Sequence, residues 1–146
     1  MIVPTRRLLL AAPALLLMPR QAGATQAAME EAVRGFTGGA AITRGRVALD
    51  ISPLVENGNT VPLSVIVDSP MTEADHVRAI AIFNERNPQP HVITAQLGPR
   101  AGRAILSTHI RLATSQTLLA VAALSDGSFW SDSAQVVVTL AACIEG

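Results

Sequence analysis

From Val47 onward the chain is written as short runs of β-forming residues, each closed by a cluster of turn formers. The runs are Val47 to Ile51, Val61 to Asp68, Val77 to Asn84, His91 to Gln96, Arg103 to Leu112, Gln116 to Leu124 and Phe129 to Ala142. Runs of this length at this spacing point to an all-β chain folded as a β-sandwich. The turn chemistry agrees. Asn57, Gly58 and Asn59 can supply the positive φ of a tight turn, and Ser125, Asp126 and Gly127 read as a hairpin between the last two runs. Pro88, Gln89 and Pro90, then Gly98, Pro99 and Arg100, punctuate the middle of the chain.

Side-chain alternation says which faces are wet. In Arg103 to Leu112 the positions Ala104, Leu106, Thr108, Ile110 and Leu112 are mostly apolar, while Arg103, Ser107, His109 and Arg111 share the other face. Gln116 to Leu124 is apolar on both faces, so that strand is central or covered on its outer side, and a partner subunit is one candidate for the cover. Before the strands, Gln26 to Arg34 reads as a short helix of good helix formers with Gly35 as its stop.

At 146 residues the chain has room for one domain, and aromatic residues make up only 3%, so the core must be built from Val, Ile, Leu and Ala. Basic and acidic side chains balance at 11 each, leaving no net field to gather nucleic acid or an anionic membrane. The N-terminal residues read as an address. Thr5, Arg6 and Arg7 precede an apolar run from Leu8 to Met18, and Ala22, Gly23 and Ala24 form a small-residue cleavage pattern. That run is shorter than the ~20 residues a membrane span needs. The arginine pair followed by Leu9 and Leu10 is similar to a twin-arginine signal, a route that carries folded or preassembled cargo. A plain secretory signal or an anchor that stays attached fits the same residues; a lipid-modified N-terminus does not, since no cysteine follows the run. The expected organisation is therefore residues 1–24 as a cleaved export signal, 25–45 as helix and linker, 46–140 as the sandwich, and 141–146 as a projecting arm, with no membrane attachment after cleavage.

The arm holds the one cysteine, Cys143. An exported protein with one thiol cannot make an internal disulfide, so Cys143 either closes the last strand as a small apolar residue or is a working group. A short tether holding one nucleophilic atom suits covalent carriage, because it presents its load at high effective concentration. Glu145 and the carboxylate of Gly146 stand beside the thiol and disfavour its thiolate.

Other chemistry finds little support. His76, His91 and His109, with Met29 and Met71, are the other soft ligands of the mature chain, and none lies at the spacing of a zinc or copper motif. Asp68, Glu73 and Asp75 gather around a Ser-Pro-Met turn and read as a solvated rim. There is no phosphate-binding glycine loop and no nucleophile elbow. No metal or cofactor is expected.

Five stretches carry a resemblance: Val55 to Pro62 (VENGNTVP), Asp68 to Val77 (DSPMTEADHV), Ile82 to Pro90 (IFNERNPQP), Ser107 to Ala113 (STHIRLA) and Ser125 to Trp130 (SDGSFW). In these the chain resembles the SoxY family, the sulfur-carrier subunit of the periplasmic Sox thiosulfate-oxidising system. The resemblance implies an immunoglobulin-like sandwich that is not itself an enzyme and pairs with a SoxZ-like subunit in the periplasm. It implies that Cys143 is the covalent attachment point for thiosulfate-derived sulfur. It further implies a haem cytochrome that loads the thiol, a thiohydrolase that releases sulfate, and a sulfur dehydrogenase. The arm departs from the family: Ala141 and Ala142 precede the cysteine and Ile144 and Glu145 follow it, where the family has paired glycines. These residues restrict a backbone that glycine would leave free. The competing class is a periplasmic binding or assembly module in which the cysteine is incidental. A small metal-binding redox protein using His76, His109 and Met71 is a third.

Overall fold

The computed structural model describes residues 25–140, so the export signal, residues 1–24, and the arm, residues 141–146 with Cys143, lie outside the described residues. The order is α1 (Gln26–Thr37), β1 (Ile42–Arg44), β2 (Val47–Ile51), β3 (Leu54–Asn57), β4 (Val61–Val67), β5 (Val77–Asn84), β6 (His91–Gln96), β7 (Ala104–Ile110), β8 (Gln116–Leu124) and β9 (Phe129–Leu140), with a 3-10 turn at Pro99–Ala101 between β6 and β7. The seven expected runs are all strands. They form two sheets: β2, β4 and β7 make an antiparallel three-stranded sheet, and β1, β9, β8, β5 and β6 make the larger one, with β3 also on β9.

The period-2 pattern decides the packing. Along β4, Val61, Leu63, Val65 and Val67 point inward and are buried, while Pro62 and Ile66 are exposed. Across the gap they meet Ile80 and Ile82 of β5, Leu118, Ala120, Ala122 and Leu124 of β8, and Val136 of β9. Each aliphatic side chain so buried contributes ~1.5–3 kcal/mol. That suffices for a core without disulfides.

The outer face of β8 is covered by the protein's own helix. Val33 of α1 packs with Ala81, Phe83 and Val121, and Leu119, Phe129 and Ile42 close around them. Phe36 sits edge-on to Phe83 at 6.0 Å and to Phe129 at 5.9 Å between ring centroids. This packing also moves the helix end. Gly35 lies within α1, which runs on until Gly38 takes the left-handed conformation (φ 65°) and donates to the Arg34 carbonyl, placing Phe36 and Thr37 on the sheet. The N-cap is Thr25, whose hydroxyl accepts from Ala28 N–H at 3.1 Å.

Two strands fall where none was expected. β1 lies within the stretch read as linker and runs parallel to the start of β9, pairing Ile42 with Phe129. β3 runs parallel to its end, pairing Leu54 with Val137 and Asn57 with Leu140. The Asn57–Asn59 turn also differs from expectation: positive φ occurs at Gly38, Gly39, Gly45, Gly102 and Gly127, and at Arg46 and Met71, but not in this turn. Instead the Asn57 side chain accepts from Asn59 N–H at 3.0 Å. The β8–β9 hairpin is as expected, with Gly127 at φ 85° and Asp126 accepting from Ser128.

Candidate functional site

β9 ends at Leu140, three residues before Cys143. The chain is firmly held there. Gly58 N–H donates to the Leu140 carbonyl at 2.9 Å, Leu112 N–H donates to the Gly58 carbonyl at 2.8 Å, and Thr139 Oγ1 donates to the Glu56 carbonyl at 3.2 Å. On the other side of β9, Val138 N–H donates to Ser115 Oγ at 2.8 Å. The end of β9 is thus pinned between the β3–β4 loop and the β7–β8 loop.

Behind these loops lies a polar knot. Asn84 and Gln116 are buried, and Asn87 joins them. Asn84 Oδ1 accepts from Asn87 N–H at 2.8 Å, and Asn84 Nδ2 donates to the Gln89 carbonyl. Asn87 Oδ1 accepts from Ala113 N–H at 2.9 Å and from Gln116 Nε2 at 2.7 Å, and Asn87 Nδ2 donates to the Arg111 carbonyl at 2.7 Å. Gln116 Oε1 accepts from Arg86 N–H, and Glu85 Oε1 from Thr117 N–H. Among the described residues no buried side-chain polar atom lacks a partner, so the knot is fully satisfied and therefore stiffening. Three of the five recognised stretches, those beginning at Val55, Ile82 and Ser107, meet at this end. The other two meet at the opposite end, where Ser125 N–H donates to the His76 carbonyl and Ser125 Oγ accepts from His76 N–H.

Asn84, Asn87 and Gln116 were not singled out from the sequence. The available signal was the pair of asparagines beside two prolines in IFNERNPQP, a composition that marks a side-chain-bonded turn.

The remaining candidates are dispersed. Met71 is buried at positive φ and its sulfur accepts from Val77 N–H, a structural role. Met29, on α1, packs against the cluster of Val33, Ala81, Phe83 and Val121. His76 Nδ1 bonds with the Thr72 carbonyl, and His91 Nε2 with Thr94 Oγ1 at 2.7 Å. His109 is exposed on β7. Asp75 enters its turn through its backbone, its N–H donating to Thr72 Oγ1 and its carbonyl accepting from Thr72 N–H, and the Asp68 backbone donates to the Arg46 carbonyl and accepts from Arg46 Nε. Among the described residues no group of three or more His, Cys, Asp or Glu could hold a metal ion, and no helix is long and apolar enough to cross a membrane.

Two packed sheets, a covering helix and a final strand pinned at its end define a small immunoglobulin-like sandwich protein. The chain belongs to the SoxY family: the family model described as "Sulfur oxidation protein SoxY" matches residues 33–143. The fold is similar to that of the sulfur carrier protein SoxY from Chlorobium limicola f thiosulfatophilum, at TM-score 0.66 and 23% identity, covering 77% of this chain and 92% of that one. It is also similar to superoxide reductase (neelaredoxin) from Ignicoccus hospitalis, at TM-score 0.58 and 15% identity over 64% of this chain and 80% of that one. Superoxide reductase from Nanoarchaeum equitans aligns at TM-score 0.55 and 12% identity, over 66% of this chain and all of that one. No curated protein matches the chain in sequence.

Proposed function

We propose that this protein is a periplasmic sulfur carrier that holds sulfur-oxidation intermediates covalently on Cys143, and that it is not itself an enzyme. The observation that carries this reading is that the family match, residues 33–143, extends to the cysteine itself. Further support comes from the pinned strand end that sets Cys143 three residues beyond Leu140.

In loading, the Cys143 sulfur bonds to the outer sulfur of thiosulfate. The thiol and thiosulfate together give a cysteine-bound S–S–sulfonate, one proton and two electrons, and the electrons pass to a haem cytochrome partner. Water then cleaves the sulfur–sulfonate bond at a thiohydrolase, releasing sulfate with its proton and leaving a persulfide on Cys143. At a sulfur dehydrogenase, water supplies the oxygen that turns the persulfide's outer sulfur into a cysteine-bound sulfonate, its protons are released, and the electrons pass to the haem cytochrome partner. The carrier's contribution is a tether of known length on a stiff base, which confines the cargo and raises its effective concentration. A SoxZ-like subunit completes the carrier, and the leader at Arg6 and Arg7 takes it to the periplasm by the twin-arginine route.

Intact-mass analysis of the protein from thiosulfate-grown cells tests this. A sulfur-containing adduct that disappears in Cys143→Ala is the expected result. An unmodified mass with and without thiosulfate overturns the reading.

A further inference from the structure

Among the described residues four large aliphatic side chains stand exposed: Leu54 (57%), Ile66 (41%), Val137 (53%) and Leu140 (61%). Three of the four gather at the end where β9 stops. Leu54 and Val137 are partners across the parallel β3–β9 pair, so their side chains lie side by side on one face of the sheet. Leu140 closes the same strand three residues on. Glu56, two residues beyond Leu54 on the same face of β3, is exposed, and its carboxylate makes no ion pair among the described residues. The cluster under α1 takes in Phe129, at the other end of β9, but neither Leu54 nor Val137.

What covers this pair follows from the reach of the chain. Cys143 is three residues past Leu140. Three residues span at most ~10 Å, whereas a small domain is ~30 Å across. A protein that takes the Cys143 sulfur into its own site therefore lays part of its surface over the end of β9. The Leu54–Val137 pair is three strand residues back from Leu140, about 10 Å, and lies within that footprint. The patch is too small for a permanent subunit, since a stable interface takes about 800 Å² and roughly 20–30 residues a side. A few aliphatic side chains suit a contact made and broken in each turnover. Resting on the carrier reading above, we propose that Leu54 and Val137, edged by Glu56, form the docking surface for the enzymes that act on Cys143. The face they meet is apolar and edged by a cation, a charge that complements both Glu56 and the anionic S-sulfonate cargo.

The test uses the carrier purified from cells grown without thiosulfate. Periplasmic extract of thiosulfate-grown cells is added with thiosulfate, and intact mass gives the rate at which the S-sulfonate appears on Cys143 at low carrier concentration. In the double variant Leu54→Ser, Val137→Ser that rate should fall on the order of tenfold. Both positions are exposed, so the variant folds as the parent does. A second reaction checks the thiol without any enzyme. The Cys143 thiolate attacks an inner sulfur of tetrathionate, a new S–S bond forms, the central S–S bond breaks, and thiosulfate leaves with the electron pair. That rate should equal the parent's. Ile66→Ser, on the other sheet, should leave both rates unchanged. Glu56→Gln should slow extract loading about threefold in low salt and not in high salt; no slowing in low salt removes the cation from the partner's face. Equal extract loading of parent and double variant overturns the proposal, as does an equal slowing of both reactions, which would locate the effect in the thiol. A double variant with altered elution on size exclusion also overturns it, because the pair would then belong to a stable interface. A parent that is loaded by tetrathionate but takes no adduct from extract overturns the carrier reading itself.

Discussion

Asp132 ties the two sheets together with a single carboxylate. It lies on β9, in the stretch of edge between the parts taken by β1 and β3, and its Oδ2 accepts from Leu49 N–H of β2 at 2.9 Å. Its Oδ1 accepts from Ser133 N–H and stands 3.7 Å from Arg44, whose side chain is 78% exposed. The two contacts differ in worth. An exposed ion pair adds little, whereas a backbone N–H left unpaired beside a buried residue costs ~1–3 kcal/mol. Asp132→Ala should therefore lose about 2 kcal/mol in urea denaturation while Arg44→Ala stays within ~0.5 kcal/mol. Equal losses would place the tie in the ion pair instead. Asp126 gives a residue-scale effect of pH. The Ser128 hydroxyl, and then its N–H, hold the Asp126 carboxyl below its ordinary 3.8. A depressed folded value means that the turn's contribution is fully present above about pH 3.8 and is lost as pH falls through the folded value. The stability gap between the parent and Asp126→Asn should shrink as pH drops through that window. A gap that is flat from neutral pH to pH 3 would remove the carboxylate from the account.

At the scale of elements, α1 supplies the cover that β8 lacks. Gln116 to Leu124 announces in its composition that both faces are buried, but nothing in that run says what lies on top. The cover is distant in the chain, and only tertiary packing brings Val33 and Phe36 to Val121. Phe36→Ala should cost ~3 kcal/mol and increase binding of a hydrophobic dye, since it uncovers Phe83 and Phe129 together. Arg34→Ala, on the wet side of the same helix, should do neither. The strands that were legible are those long enough to show a run of β-forming residues of their own: Val47–Ile51, Val77–Asn84, His91–Gln96 and Gln116–Leu124 begin and end where their turn residues say. β1 and β3 were not, for a physical reason. Each is three or four residues long, too short to show a period, and each exists because β9 offers it a free parallel edge. β8 pairs with Phe129 to Val136 of β9, while β1 pairs with the start of that strand and β3 with its end.

Across the whole molecule, the recognisable stretches divide between the two ends of the sandwich, and the end at which β9 stops at Leu140 receives three of them. Cys143 was legible from the sequence as a lone thiol near a chain end. The knot that stiffens its base was not, because Asn84, Asn87 and Gln116 are separated by up to 32 residues and only the fold brings their amides together. Asn87 is its centre. The side chain accepts from Ala113 N–H and Gln116 Nε2 and donates to the Arg111 carbonyl, so it binds the β5–β6 loop to the β7–β8 loop, which in turn holds Gly58 and through it Leu140. Removing it leaves the part-buried Ala113 N–H and Gln116 Nε2 without this acceptor, and Asn87→Ala should cost about 2 kcal/mol. A loss of that size anywhere in the core would lower global stability, so the discriminating measurement is where the chain loosens. Native-state hydrogen exchange should accelerate first at Ala113, Leu112 and Gly58, the amides that link the knot to the arm's base. Asp68 and Ser125, bonded at the far end of the sandwich, should keep their parent rates under the same conditions. Uniform acceleration at both ends would mean that the knot supports the whole fold and not the arm.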